Sequence, residues 1–176
     1  MNFQQIKQKT LWITAGLLII FTMNGCVKGS NNCTIAESTK VATAAELAFI
    51  QNYLGTIGAN DFTQHSSGVF YKISNPGNGS NPNLCSTVLV KYDAYRLGFT
   101  TTFDSNQLPS GVPFTLGSLI VGVQKILPLV KAGGAVTMYI PPSLGYGDQD
   151  IRDPNGNTIL PANSYLKFDF TVVGVQ

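Results

Sequence analysis

The stretch "AVTMYIPPSLGYGD", residues 135–148, begins as a β-strand and ends as a turn. Residues 135–140 are apolar, β-branched or aromatic in the manner of a buried strand. Pro141 and Pro142 cannot donate to a ladder and so end it. Gly145 and Gly147 flank Tyr146 with permissive backbone, so the tyrosine ring can lean away from the path of the chain. The segment predicts a strand that feeds a turn and presents one phenol.

The sequence on either side continues in the same vein. Downstream, "YLKFDFTVV" (165–173) places Leu166, Phe168, Phe170 and Val172 on one face and Tyr165, Lys167, Asp169 and Thr171 on the other, the pattern of a half-buried strand. Upstream, "GVFYKI" (68–73) alternates Val69, Tyr71 and Ile73. The turn cluster "PGNGSNPN" then leads to "TVLVKYDAYRL" (87–97), which alternates Val88, Val90 and Tyr92, so this pair predicts a hairpin. In "LIVGVQKILPLV" (119–130), Ile120, Val123 and Leu127 recur at helical spacing until Pro128 stops the helix. The expected class is α+β: an antiparallel β-sheet of five to six strands wrapped around one short helix.

The N-terminal part differs. "MNFQQIKQKT" followed by "LWITAGLLIIFTM" has the charged and apolar regions of an export signal, assigned to residues 1–25. Its end, Met23-Asn24-Gly25-Cys26, resembles a bacterial lipobox in which Cys26 becomes the lipidated N-terminus; an ordinary signal peptide cut near Gly25 is the alternative. Residues 27–42 are polar and suit a tether. Thr43 and Glu46 then have capping-box spacing, Leu47, Ile50 and Leu54 follow at helical intervals, and Gly55 offers a stop. An extra N-terminal helix is expected to dock on the main domain, so that residues 26–67 form tether and helix and 68–176 the main domain.

Composition limits the partners. A chain of 176 residues with 44% hydrophobic and 11% charged residues can bury one substantial core. Its formal charge of +2 falls to zero once Lys7 and Lys9 leave with the signal, which argues against nucleic acid as a partner. With Cys26 lipidated, Cys33 and Cys85 remain, either as a disulfide suited to an oxidising compartment or as two buried thiols. His65 is the only histidine and no cysteines stand at CxxC spacing, so a zinc site is not expected. The same scarcity argues against Ser-His-Asp or Cys-His catalysis, and there is no GxSxG elbow. "GNGS" (77–80) lacks the lysine of a phosphate loop, and Asp148, Asp150 and Asp153 lack the order of a calcium loop.

What the chain does carry is an ordered series of apolar and aromatic pieces: Tyr92, "TTFDSN" (101–106), "VPFTLGSLIVG" (112–122), "LVKAGG" (129–134), "YIPPSLGYG" (139–147) and "TILPANSYLKFDF" (158–170). Collinear over residues 68–176, they resemble the FKBP-type peptidyl-prolyl isomerases, and the signal and helix resemble exported lipoprotein members. The resemblance implies rotation of X-Pro bonds in exported polypeptides by desolvation and hydrogen bonding in an apolar pocket, with no cofactor and no metal. It implies Tyr92, Phe103, Asp104, Ile120, Tyr146 and Phe168 as catalytic residues, and Val112, Leu119, Val123, Ile159 and Leu160 as substrate contacts.

Unfolded or folding proline-containing polypeptides are the implied partners, macrolide-type ligands are possible occupants, and the membrane is touched only through the N-terminal lipid. The implied place is a bacterial membrane, the outer one, with the domain facing the periplasm. Four departures from the family pattern stand out. Val123 occupies the position of a tryptophan floor. One residue is inserted between Tyr92 and Phe103, where a bulge could absorb it. Val112 stands at an aromatic position that Phe114 fills under another alignment. The loop "DQDIRDPNGNT" (148–158) is long and lacks histidine. Because Val123 removes apolar wall, a non-catalytic or weakly catalytic peptide-binding module is the alternative function.

Overall fold

In the computed structural model, residues 33–176 are described; the expected signal, Cys26 and residues 27–32 of the expected tether lie outside them. Helix α1 spans Ala44–Thr56 and is followed by β1 (Thr63–Gln64), β2 (Phe70–Asn75), β3 (Thr87–Arg96), β4 (Thr102–Asn106) and β5 (Val112–Thr115). Then come α2 (Val121–Ile126), β6 (Ala135–Ile140), β7 (Ile151–Arg152), β8 (Thr158–Leu160) and β9 (Leu166–Val175). The main sheet is antiparallel and ordered β1-β2-β6-β9-β3-β4, with β5 also paired to β3. These are seven strands against the five to six expected, because the two-residue β1 and the four-residue β5 each join it. β7 and β8 form a separate small hairpin inside the long loop.

The expected β2–β3 hairpin does not form. β6 and β9 lie between those strands, and the turn-rich residues 76–86 cross from one side of the sheet to the other. Alternation specifies which side chains turn inward but not which strand lies alongside, and two long neighbours, β6 and β9, satisfy the backbone of β2 and β3 instead.

The main core lies between the sheet and α2. Val88, Val90, Ala94, Val136, Met138, Ile140, Leu166, Phe168, Phe170 and Val172 face Val123, Ile126 and Leu127. Gly122 makes this approach possible, since a Cβ there would lie 2.5 Å from Cγ2 of the fully buried Ile140. A six-residue helix has no autonomous stability, so α2 exists because its apolar face is buried here. After Ile126 the chain tightens into a 3-10 turn that contains Pro128, in accord with the expected stop.

On the other side of β2 and β6, Ile50 and Leu54 of α1 pack on Phe70 and Tyr139. Phe70 is thus buried although alternation places it opposite Val69 and Tyr71; α1 covers the second face. The capping box forms as expected, with the Thr43 side chain on the Glu46 N–H and the Glu46 carboxylate on the Thr43 N–H. Gly55 lies within the helix, and the chain leaves it at Ile57 followed by Gly58, whose φ of 68° supplies the left-handed turn.

Residues 33–42 do not hang free as a tether. Cys33 and Cys85 form a disulfide, Glu37 pairs with Lys125 at 2.7 Å, and the Ala42 N–H donates to Ser67 O at 2.8 Å. The segment is laid along the domain by covalent, ionic and backbone contacts.

Candidate active site

An apolar cavity of about 130 Å³ opens on the helix side of the sheet, lined by Tyr92, Asp104, Phe114, Leu119, Ile120, Val123, Tyr146, Phe168 and Phe170. Strand register builds three of its walls. Tyr92 on β3 stands opposite Phe170 on β9, and Ala94 stands opposite both Phe168 and Asp104. Paired residues share a face, and the small side chain of the fully buried Ala94 leaves the space that its larger neighbours surround.

The aromatic rings interlock. Phe168 stacks on Phe170 at 5.3 Å, Tyr92 meets Phe170 at 5.7 Å and Phe114 at 6.1 Å, and Phe103 meets Tyr146 and Phe168 nearly perpendicularly at 6.4 and 6.2 Å. Offset and edge-to-face arrangements of this kind hold their members in place beyond simple burial. The floor is Val123, 2% exposed, so the cavity bottom is aliphatic and rests directly on the core.

Between Tyr92 and Phe103, β3 and β4 shift register, where a bulge was expected. Ala94 pairs with Asp104 and Tyr95 with Thr102, which leaves Phe103 without a cross-strand partner. Such a bulge redirects a side chain, and the Phe103 ring turns its edge toward Tyr146 and Phe168.

Polar groups occupy one side only. The Tyr92 hydroxyl donates to Asp104 Oδ2 at 2.8 Å. Burial, and then that hydrogen bond, push the Tyr92 phenol far above its ordinary range. Burial followed by the Asp104 charge raises that of Tyr146 as well. Both groups therefore remain O–H donors at any physiological pH. Asp104 is exposed, not buried, so its charge is kept solvated while Tyr92 orients it.

Leu119 and Ile120 form the remaining wall where the 3-10 turn Leu116–Ser118 meets α2. The Gln124 side chain holds this junction by donating to Gly117 O at 3.0 Å and Leu119 O at 2.7 Å. The Ile120 N–H takes no backbone partner among the described residues, as befits the N-cap position of α2.

Tyr146 reaches the cavity from the turn after β6. Pro142–Leu144 form a 3-10 turn, and Gly147 has a φ of 65°. Glu46 of α1 grips the same turn, accepting from the Ser143 N–H at 2.8 Å and its hydroxyl at 2.9 Å.

Four expected site residues do not line this cavity, the first being Phe103, whose ring meets the lining residues Tyr146 and Phe168 but belongs to a neighbouring groove. Val112 packs on the core opposite Val90, and Phe114, two residues on along the same face of β5, reaches the cavity instead. Leu160 is fully buried in the core, whereas Ile159 is 43% exposed and faces a separate groove with Phe103. Phe170 was absent from the expected site, although its alternation with Phe168 on β9 already placed the two rings on one face. The acidic loop holds no metal cluster among the described residues. Asp150 pairs with Arg152 at 2.7 Å, and Asp153 accepts from Asn155 and Asn157 to close the β7–β8 turn.

Comparison with known proteins places this arrangement. Residues 79–173 match the sequence model of the family described as FKBP-type peptidyl-prolyl cis-trans isomerase. The chain is similar to a probable FKBP-type peptidyl-prolyl cis-trans isomerase FkpA of Neisseria meningitidis, 37% identical over 111 residues that cover 62% of this chain and 39% of the relative. It is also similar to the "Outer membrane protein MIP" of Legionella longbeachae, 34% identical over 112 residues that cover 62% of this chain and 45% of that one. The matches thus span less than half the length of these relatives. Among solved structures, FkpA of Escherichia coli superposes with a TM-score of 0.61 at 27% identity, covering 76% of this chain and 60% of the other.

Proposed function

The chain belongs to the FKBP-type peptidyl-prolyl cis-trans isomerase family, and on that premise we propose that it rotates X-Pro peptide bonds of exported polypeptides in the cavity between Tyr92, Val123, Tyr146 and Phe168. The observation that supports this reading most directly is a small, mainly apolar cavity whose polar groups, Tyr92, Asp104 and Tyr146, are gathered on one side.

Turning a prolyl amide crosses a barrier of about 18–20 kcal/mol because resonance is lost, and the twisted amide has a less polarised carbonyl than the planar one. An apolar cavity therefore disfavours the planar state more than the twisted one. Removing an amide from water costs about 1–3 kcal/mol, and each 1.36 kcal/mol of differential effect is tenfold in rate, so desolvation supplies roughly ten- to a hundredfold. Further acceleration needs donors aimed at the rotating group. In this reading the Tyr146 hydroxyl and the Ile120 N–H hold the substrate carbonyl or its flanking backbone. Asp104, fixed by Tyr92, faces the twisted amide.

The deciding experiment is NMR exchange between cis and trans resonances of a proline peptide with the full protein present. Exchange cross-peaks that scale with protein concentration are expected. Their absence at high protein concentration overturns the isomerase reading and leaves a peptide-binding module, whose reduced chemistry would follow from Val123.

For the N-terminal region we propose export, cleavage after Gly25 and lipidation of Cys26, with the domain held at the outer membrane facing the periplasm. The charged-apolar-Cys pattern of residues 1–26 supports it, as does similarity to a protein named for the outer membrane. Mass analysis of the mature chain is expected to find lipid on Cys26; an unmodified N-terminus at another residue overturns it.

A further inference from the structure

Phe103 stands between the cavity and a second concavity. On one side its ring meets Tyr146 and Phe168, which line the cavity; on the other it lines a groove of about 280 Å³ together with Arg96, Phe99, Thr101, Thr102, Ile159 and Pro161. We infer that this groove is a second binding subsite, which takes a large apolar side chain of the same polypeptide whose proline occupies the cavity. The inference rests on the isomerase reading above, and its occupant is a neighbouring residue of the substrate.

The walls come from segments far apart in sequence. Phe99 lies in the β3–β4 turn and is 54% exposed, and Ile159 on β8 is 43% exposed. Neither completes the core, so their convergence around Phe103 adds nothing to burial inside the chain. Two exposed apolar side chains flanking a cleft are instead what an apolar ligand group requires.

Phe99 is also held in position. The Arg96 guanidinium lies 4.7 Å from its ring centroid, and the Phe99 N–H donates to Arg96 O at 3.0 Å. A ring fixed in this way loses little freedom when a ligand arrives. Arg96 has no carboxylate partner among the described residues, so its N–H groups are open to a main-chain carbonyl of a bound strand. The same positive group disfavours lysine or arginine as the occupant.

Continuity with the cavity sets the spacing. The two spaces lie on either side of one aromatic side chain, Phe103, and an extended chain advances about 3.3–3.6 Å per residue, so the occupant stands roughly two or three residues from the proline. A peptide limited to the proline and its immediate neighbours fills only the first space.

The test uses the full protein and a set of peptides with one proline. Phenylalanine is scanned through the three positions on each side of the proline, with alanine at the others. Dissociation constants come from chemical-shift titration and turnover from cis/trans exchange. At one position two or three residues from the proline, phenylalanine is expected to tighten binding about tenfold over alanine, the worth of one well-buried apolar side chain. That preference should shrink to within about twofold in Phe99→Ser and in Ile159→Ser, whose melting curves serve as the folding control.

A uniform scan, or a preference that survives both substitutions, refutes the subsite. Absence of exchange with every peptide refutes the isomerase reading alone, because the binding scan still reports on the groove.

Discussion

Replacing Glu46 tests whether α1 helps to position the turn that carries Tyr146. Its carboxylate accepts four hydrogen bonds, from the Thr43 N–H at 2.8 Å, the Thr43 hydroxyl at 2.9 Å, the Ser143 N–H at 2.8 Å and the Ser143 hydroxyl at 2.9 Å. The first two cap α1; the last two join α1 to the 3-10 turn Pro142–Leu144. Losing a cap costs about 1 kcal/mol, and hydrogen bonds to a charged group are worth about 1.5–3 kcal/mol. Because Glu46 is partly solvated, the low end applies, and Glu46→Ala is expected to lose about 2–3 kcal/mol.

Thr43→Ala removes only the cap and should lose about 1 kcal/mol. Urea unfolding followed by circular dichroism measures both. If the two variants lose the same amount, the bridge to Ser143 contributes nothing and the reasoning fails.

Acid gives an independent check. Burial pushes the Glu46 carboxyl up, but the hydrogen bonds from Thr43 and Ser143 outweigh it and hold the group below its ordinary value. A folded-state pKa lowered in this way stabilises above the unfolded value, and that stabilisation is lost as the pH falls through the folded one. The stability gap between wild type and Glu46→Ala should therefore close as the solution is acidified below the ordinary carboxylate range.

Three further outcomes follow from the same geometry. Asp104→Leu and Tyr146→Phe are each expected to lower kcat/KM in the exchange assay by about tenfold or more, equivalent to one hydrogen bond of about 1.4 kcal/mol, with the fold intact; full activity in both means that the cavity is not the site. Gly122→Ala gains up to about 1 kcal/mol of helix propensity, but its Cβ would press on Ile140, so a net loss of about 1–3 kcal/mol is expected in urea and an unchanged midpoint refutes the close packing. The Cys33–Cys85 disulfide spans 52 residues, and Cys85→Ser should cost about 2–4 kcal/mol by freeing the unfolded chain, whereas coincident unfolding curves would show that the 33–42 segment holds on without it.

The gathering of the site residues at one place was implied by the family resemblance alone, but the local placement of several of them was legible in the sequence. Alternation placed Phe168 on the inward face of β9, the Gly-Tyr-Gly turn freed Tyr146, and helical spacing put Val123 on the buried side of α2, because each signal depends only on a residue and its near neighbours in the chain. The capping box at Thr43 and Glu46 was legible for the same reason. The second role of Glu46, on Ser143, was not, since 97 residues separate the two.

The sequence by itself determined the two helices, the main strands β2, β3, β6 and β9, and most of the side chains that turn inward, for these follow from backbone sterics and the two periodicities of apolar residues. Tertiary structure alone decided who stands beside whom. It inserted β6 and β9 between β2 and β3, exchanged Val112 for Phe114 at the cavity wall, moved Leu160 into the core and turned Ile159 toward a separate groove. Period-two alternation is satisfied by any partner strand. The choice among partners, and with it the shape of the cavity, comes from packing the sheet on α2 and α1 together.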